Sequence, residues 1–520
     1  MKNRRMKKTN KQVFTENISI TYQQSIFADL KTNKEHLLNI LGNSSDIIFR
    51  NLQLGKELTN AMIIFIDGLT DKETIQHYLL NPLMEITKKQ QVPNNSSLYD
   101  FVEQTITTAE LTEIPDFKLL LDHLLTGDAI LFIDGATKAL AVGSKGAKER
   151  NVEAPTTQQV VRGPKDSFTE SIHANTALIR KRIKDPNLWF ESFTYGTKTN
   201  TEVIIAYVQG IVNPDIVEEV KARLAQIDID AILESGYIEE LIQDETYTPF
   251  PTMLNSERPD AISVGLLEGR VAIIVDGTPF VLLVPALFTD FFKSTEDYYQ
   301  RSDISSLIRL LRFIAFFLAL LTPSTYIALT TFHQEMIPTT LLVSLAAQRE
   351  GIPFPAIVEA LIMEITFELL REAGIRLPNP IGSAISIVGA LVLGQAAVDA
   401  GIVSATMVIV VSLTAISSFI IPNYNLAISV RILRFGFMLL AATLGLFGIF
   451  LGLLLLGLHL TSLRSFGIPY LSPLAPFITV DQQDTVIRVP IWKKSTRLRL
   501  INQRNIIREK TKQPQPPNKG

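Results

Sequence analysis

Hydrophobic and polar positions are finely interleaved along residues 1–303, and then the charges stop. Residues 313–334, 377–398, 400–430 and 435–463 contain no Asp, Glu, Lys or Arg. A helix needs roughly 20 mainly apolar residues to cross hydrocarbon, because each backbone polar group must be satisfied inside the segment. The pattern predicts a soluble first part followed by a helical part that threads a membrane several times.

Within the soluble part the pattern repeats when the chain is slid against itself by 142 positions. AMIIFIDGLTDKETI falls on TEVIIAYVQGIVNPDIV, and LLTGDAILFIDG falls on LLEGRVAIIVDG, so that Gly127, Asp134 and Gly135 meet Gly269, Asp276 and Gly277. Each copy opens with a β-rich run that stops at a glycine and gives way to a helical period. Thr70 and Glu73 have capping-box spacing in the first copy, and Asn213–Pro214 starts the helix in the second. ILFIDG and AIIVDG each read as a buried strand ending in an Asp-Gly turn, followed by a second short strand, which is a hairpin.

The expected organisation is a basic tail (1–39), an α/β subdomain (40–150), a connecting helical segment (151–189), a similar α/β subdomain (190–303), an all-α multi-span transmembrane domain (304–463) and a basic C-terminal tail (464–520). In the connector Thr169 is placed to cap a helix with Ile172, Ile179 and Ile183 on its apolar side. Arg180, Lys181, Arg182 and Lys184 crowd its end. That is either a solvated face favourably placed at a helix C-terminus or a contact with lipid headgroups or a neighbouring subunit.

The formal net charge of −3 conceals two basic ends. Lys2, Arg4, Arg5, Lys7, Lys8 and Lys11 precede any acid, and from Arg488 onward nine further cations face only Glu509. Nucleic acid is one possible partner of such tails. The positive-inside bias and attraction to anionic lipid fit a membrane protein better, and they place both ends in the cytoplasm. No apolar run follows the basic N-terminus, so no cleaved signal peptide is expected. The absence of cysteine excludes disulfides and thiolate chemistry.

Enzymatic readings find no support. GSKGAK at 143–148 lacks the spacing of a phosphate-binding loop. The six histidines form no metal-ligand spacing, and Asp134 and Asp276 are turn residues rather than an acid/base pair. No catalytic, cofactor-binding or metal site is expected.

Three long segments carry a resemblance: RGPKDSFTESIHANTALIRKRI, PFPTMLNSERPDAISVGLLEGRVAIIVDGTPFVLLVP, and the run from PFPAIVEALIMEITFELLREAG to GALVLGQAAVDAG. They resemble the GerA family of spore germination proteins, specifically its A subunit, over about residues 40–495. The resemblance implies a germinant-receptor subunit in the inner membrane of a bacterial endospore. It would act with a transporter-like B subunit and a lipoprotein C subunit, and assemble as a homo-oligomeric ring that forms a nutrient-gated ion channel. A secondary transporter and a non-conducting scaffold are the alternatives. A transporter would usually repeat its membrane half, whereas the duplication here is soluble.

Counting spans exposes a conflict. Arg309 and Arg312 set the start of the first span inside, and Pro323 interrupts its hydrogen-bond ladder. The helix after PFPA carries Glu359, Glu364 and Glu368, and a charge at the bilayer centre costs roughly 2.5–3.5 kcal/mol even on the lenient scale. Glu364 and Glu368 share a helix face, with Glu359 about 140° away from Glu364 at roughly 100° per residue. They form either a cation-attracting vestibule or salt bridges to Arg349, Arg371 or Arg376, and salt bridges are the simpler reading. If that helix does not cross, four spans return the basic tail inside but leave Arg431 and Arg434 outside. The larger charge of the tail favours this count. Gly382, Ser386, Gly389 and Gly394 permit close helix packing or line a pore, and Asp399 marks the tip of a hairpin.

Overall fold

The computed structural model describes residues 24–54, 59–84, 106, 110–146, 154–155, 157–376, 392–502, 505–508, 511 and 513–514. Its soluble half contains two five-stranded antiparallel sheets. The first comprises β1 (Ile47–Leu54), β2 (Thr59–Ile66), β3 (Leu111–Ile114), β4 (Ala129–Ile133) and β5 (Ala139–Val142), in spatial order β1-β2-β4-β5-β3. The second comprises β6 (Leu188–Tyr195), β7 (Thr201–Val208), β8 (Leu254–Ser256), β9 (Val271–Val275) and β10 (Val281–Val284), in the matching order β6-β7-β9-β10-β8. The offset of 142 carries β2 onto β7, β4 onto β9 and β5 onto β10, residue for residue. Both expected Asp-Gly hairpins are present, as β4–β5 and β9–β10.

Helices cover these sheets because the strands bury both faces. The first unit has α1 (Leu30–Leu41) and α2 (Phe117–Leu124). The second has α3 (Ile172–Arg182), α4 (Pro214–Leu224), α5 (Ser235–Ile242) and α6 (Pro259–Leu267). Val203, Ile205, Val271 and Ile273 point to α4 and α5, while Ile204, Ala206, Ala272 and Ile274 point to α3 and α6.

The helix expected in the connector is part of the second unit. α3 starts 142 residues after α1 and packs on the same relative face, so the expected boundary at residue 190 cuts across a unit. Two capping expectations also change. Asp71, not Thr70, caps the first helical turn, accepting from the Glu73 N–H at 3.1 Å, while the Thr70 backbone bridges Lys145 and its hydroxyl is buried. At α3 Ser171 holds the N-cap position without a side-chain bond, and the Ile172 N–H is satisfied by Asp276 Oδ1 from the hairpin turn. Asn213 and Pro214 start α4 as expected.

The units meet at one buried ion pair. Arg180, fully buried on α3, donates from Nε to Asp46 Oδ2 at 2.9 Å and from NH2 to Asp46 Oδ1 at 3.0 Å, with its plane over Phe190. Ser44 donates to Asp46 and receives the Phe190 N–H. Thus one residue of the basic run expected at a solvated face is the least solvated cation of the interface.

Among the described residues, two helices are long and apolar enough to cross a membrane: α7 (Ser302–Thr331) and Tyr424–Ser462. α7 continues through Pro323 as one element. Between them lie α8 (Thr339–Arg349), α9 (Ala356–Arg376), residues 392–399, and α10 (Ala405–Ile420). The segment Tyr424–Ser462 is not straight. Gly445 sits at φ 63°, ψ −141°, and the chain folds back there. A Cβ on Gly452 would stand 2.7 Å from Phe437, fifteen residues earlier, so the two arms, 424–444 and 446–462, pack antiparallel. Their soluble-side ends touch the same loop: Ser429 Oγ donates to the Pro249 carbonyl, and His459 Nε2 lies 2.8 Å from Thr248 Oγ1. The turn at Gly445 lies against Phe332 and His333, beyond the far end of α7. We label the arms α11 and α12.

Candidate functional site

Gly382, Ser386 and Gly389 lie outside the described residues. A Cβ on Gly394 would stand 3.5 Å from Val408 of α10, an ordinary van der Waals contact. Asp399 accepts from Gln395 Nε2 at 2.9 Å, one turn back in the same helix.

The carboxylates of α9 form the most unusual chemistry of the membrane half. Glu359 and Glu364 are fully buried, and all three are paired with guanidinium groups from other helices. Arg434 NH1 donates to Glu364 Oε2 at 2.6 Å, Arg431 NH1 to Glu368 Oε2 at 2.7 Å, and Arg349 NH2 lies 3.2 Å from Glu359 Oε1. The salt-bridge reading holds, but two of its partners were misassigned. Arg376 instead bonds Glu372, one turn back on α9, and Arg371 lies over the Phe419 ring at 5.0 Å. Arg431 and Arg434 come from α11, more than sixty residues away, where sequence offers no local pairing cue.

These pairs also fix the course of the helices. Glu359 Oε2 accepts the Ser404 N–H at the start of α10, so it lies at the level of the α8 and α10 ends. Arg434 Nε donates to the Ala319 carbonyl midway along α7, and Arg371 reaches Phe419 near the end of α10. α9 therefore descends beside α7 as α7 rises. Pairing is the physical condition for burying such groups, since an isolated charge in hydrocarbon would be far costlier. Pairing does not use every atom: Glu364 Oε1 and Glu368 Oε1 are buried without a hydrogen-bond donor, and Arg434 NH2 is buried without an acceptor.

A second charged cluster welds the soluble half to the membrane half. Arg309, on the first turns of α7 and fully buried, donates to Asp297 at 3.0 Å and to Asp484 at 2.8 Å, while Arg312 donates to Asp297 at 2.8 Å. Asp484 also receives Lys494, and Lys494 donates to Glu268 on the second unit at 3.0 Å. Arg270 and Lys293 close the ring on Asp290, at 2.7 and 3.0 Å. Burial pushes the Asp290 carboxyl up, but Arg270 and Lys293 outweigh it and hold it at about 2. The same contest, won by Lys494 and Lys293, puts Asp484 well below the usual range.

The described part of the basic C-terminal stretch, through residue 502 and at 505–508, packs against the rest of the chain. Arg488 and Arg497 are buried, Arg497 Nε donates to the Leu267 carbonyl at 2.7 Å, and Asn502 donates to the Ile211 carbonyl. Its cations were expected to meet lipid; Lys494 instead pairs with Asp484 and Glu268, Arg508 lies 3.5 Å from Glu268, and Arg488 and Arg497 donate to backbone carbonyls. This also sets residues 464–502 on the soluble unit's side.

The model of the Bacillus/Clostridium GerA spore germination protein family matches residues 35–500. The chain is 50% identical over 478 residues to spore germination protein KA of Bacillus subtilis, covering 92% of this chain and 87% of that one. It is 47% identical over 473 residues to the uncharacterized membrane protein YfkQ of the same organism, covering 91% of each chain. It is 42% identical over 451 residues to spore germination protein GerLA of Bacillus cereus, covering 86% of this chain and 91% of that one. Among solved structures, the N-terminal domain of the A subunit of the Bacillus megaterium spore germinant receptor GerK3 matches at 41% identity, with a TM-score of 0.42, over 51% of this chain and 98% of that one. This duplicated soluble head on a charge-laced helical base belongs to the GerA family of spore germination proteins.

Proposed function

We propose that this chain is the A subunit of a nutrient germinant receptor in the spore inner membrane, and that several copies together form an ion channel whose opening begins germination. It acts with a transporter-like B subunit and a lipoprotein C subunit, and the triggering nutrient is a small molecule such as an amino acid, sugar or nucleoside. The family is one of germination proteins, not of enzymes.

The observation that carries the channel reading is the row of buried carboxylates on α9. Each has an oxygen engaged near a guanidinium, and Glu364 and Glu368, paired through Oε2, each keep an Oε1 without a hydrogen-bond donor. Unsatisfied acceptors at membrane depth favour hydration or a passing cation. The fold-back at Gly445 supports a course in which α7 leads outward, α9 returns, α11 leads outward and α12 returns, so that Arg431, Arg434 and the C-terminal stretch share the core side that the positive-inside bias favours.

Full neutralisation of the α9 carboxylates by arginines supports a second reading, a non-conducting scaffold. Purified protein in liposomes separates the readings. A channel gives passive cation current that falls in Glu364→Gln, a transporter gives coupled uptake, and a scaffold gives neither. Spores lacking the chain should stay dormant toward one nutrient set yet still germinate with calcium dipicolinate; an intact response in the absence of any paralogue counts against the receptor role.

A further inference from the structure

Helix α5 exposes a stripe that its own fold does not use. Ile238 and Ile242 are buried against the sheet, whereas Leu233, Tyr237 and Leu241 are 63%, 42% and 49% exposed. Tyr237 and Leu241, four residues apart, share one side of the helix, and Leu233 is exposed in the extended lead-in just before its N-cap, Glu234. Residues 233–247 contain five acids (Glu234, Glu239, Glu240, Asp244, Glu245) and no base. An apolar stripe ringed only by acids is poorly suited to a negatively charged membrane surface and well suited to an apolar knob flanked by cations.

The same chain displays such a knob. Val161 is 92% exposed, and Arg162 and Lys165 beside it are also exposed. The turn is held on a fixed backbone. Arg258 NH1 donates to the Gln158 carbonyl at 3.2 Å and NH2 to the Pro164 carbonyl at 3.1 Å, while Glu257 Oε1 receives the N–H groups of Thr157 and Gln158. This segment leads into Phe168 in the core layer of α3 and α6, on the face of the second sheet opposite to α5. Knob and stripe cannot meet within one chain, and a contact between them in two copies is head-to-tail. Copies held by a common bilayer share one axis direction, so such a contact can close into a ring.

We propose that the Val161 turn of one copy, with Arg162 and Lys165, seats on the Leu233–Tyr237–Leu241 stripe of a second copy, with Glu240 and Glu245 as the facing charges. This rests on the oligomeric reading above and names the soluble contact that would order the ring. The chain has no cysteine, so paired cysteines report the contact directly. Full-length protein carrying Val161→Cys and Tyr237→Cys, oxidised in detergent, should give a ladder of covalent multimers. An equimolar mixture of the two single variants should stop at dimers, and neither alone should cross-link appreciably. Arg162→Glu should raise the concentration for half-dissociation by up to about fivefold, the scale of an exposed pair, and Glu240→Arg should restore it. An oligomeric native mass without the ladder overturns this contact and leaves the assembly standing. A single-copy mass in both detergent and nanodiscs overturns both. Quenching of a Tyr237→Cys fluorophore by bilayer lipid, without multimers, assigns the stripe to the membrane and likewise refutes the proposal.

Discussion

The two soluble units share strand order and offset, yet they sit in the molecule differently. The first is held through Arg180–Asp46, the Ser45 N–H donated to the Phe190 carbonyl, and the Phe190 N–H donated to Ser44 Oγ. The second is tied to the membrane helices by Thr248 and Pro249, to the C-terminal stretch by Glu268, Leu267 and Ile211, and to α7 through the Arg309 cluster. Duplication thus supplied two copies of one α/β plan, of which one became the mount and the other an arm carried by it. Among the described contacts, a pull or rotation of the first unit reaches the helices through the second.

The mount should be the costliest place to break. Arg309→Ala leaves Asp297 to Arg312 alone and Asp484 to Lys494 alone in a buried network, and removing one member of a buried pair costs up to about 3–5 kcal/mol. The expected result is full-length protein whose C-terminal stretch is cut early by trypsin in detergent, with a lowered melting temperature. A cleavage pattern equal to the parent's would show that the tail is held by its other contacts. Arg180→Ala should cost a similar amount, about 3–5 kcal/mol, but act on the arm alone. Limited proteolysis should then release the first unit while the second stays with the membrane fraction. Co-release of both would contradict the division into arm and mount.

Much of this arrangement was legible before any coordinates, because strands advertise themselves by short apolar runs and Asp-Gly turns. The α1/α3 correspondence was not, since LKTNKEHLLNIL and IHANTALIRKRI share little apolar pattern. The signal that could have found it is polar. Asn33 and Asn175 are 142 apart and buried, and each bonds the N–H and carbonyl of the residue six before it, Phe27 and Thr169, themselves 142 apart. The membrane half was harder for two reasons. Its ion pairs join residues more than sixty apart, as in Glu364–Arg434, and an uncharged run such as 435–463 looks like one span whether or not it turns. Of the glycines in LGLFGIFLGLLLLG, only the backbone marks Gly445 as the turn, through its positive φ and the close approach of His333 Cε1, 2.7 Å from a Cβ placed there.

A pair of equivalent glycines tests how far the units have diverged. Gly127 and Gly269 have φ of 103° and 93°, and a Cβ on each would press on the carbonyl of Leu69 and Ile211, at 3.1 and 3.2 Å. Alanine at either should cost about 1–2 kcal/mol from backbone handedness alone. At Gly269 the Cβ also meets Asn502, 3.2 Å from its Nδ2, where the C-terminal stretch caps the same carbonyl. Gly269→Ala should therefore lower the melting temperature more than Gly127→Ala, and should expose residues near 502 to protease, which Gly127→Ala should not. Equal effects would mean that the stretch contributes little at that point.

The gentlest test concerns charge on the mount. Burial, and secondarily the nearby Glu234, raises the Glu239 carboxyl to about 7. Its unfolded value is about 4.3, so the folded chain holds a proton there that the unfolded chain has lost. Stability linked to this group is fully present below the unfolded value and is lost as the pH climbs through about 7. Glu239→Gln removes the titration while keeping the shape. The variant should melt higher than the parent at pH 8, and the difference should shrink toward pH 5. An advantage independent of pH would trace to packing instead. A second unit already crowded by acids along α5 would then be no less stable for carrying them, and the argument that the stripe awaits cations would lose its electrostatic part.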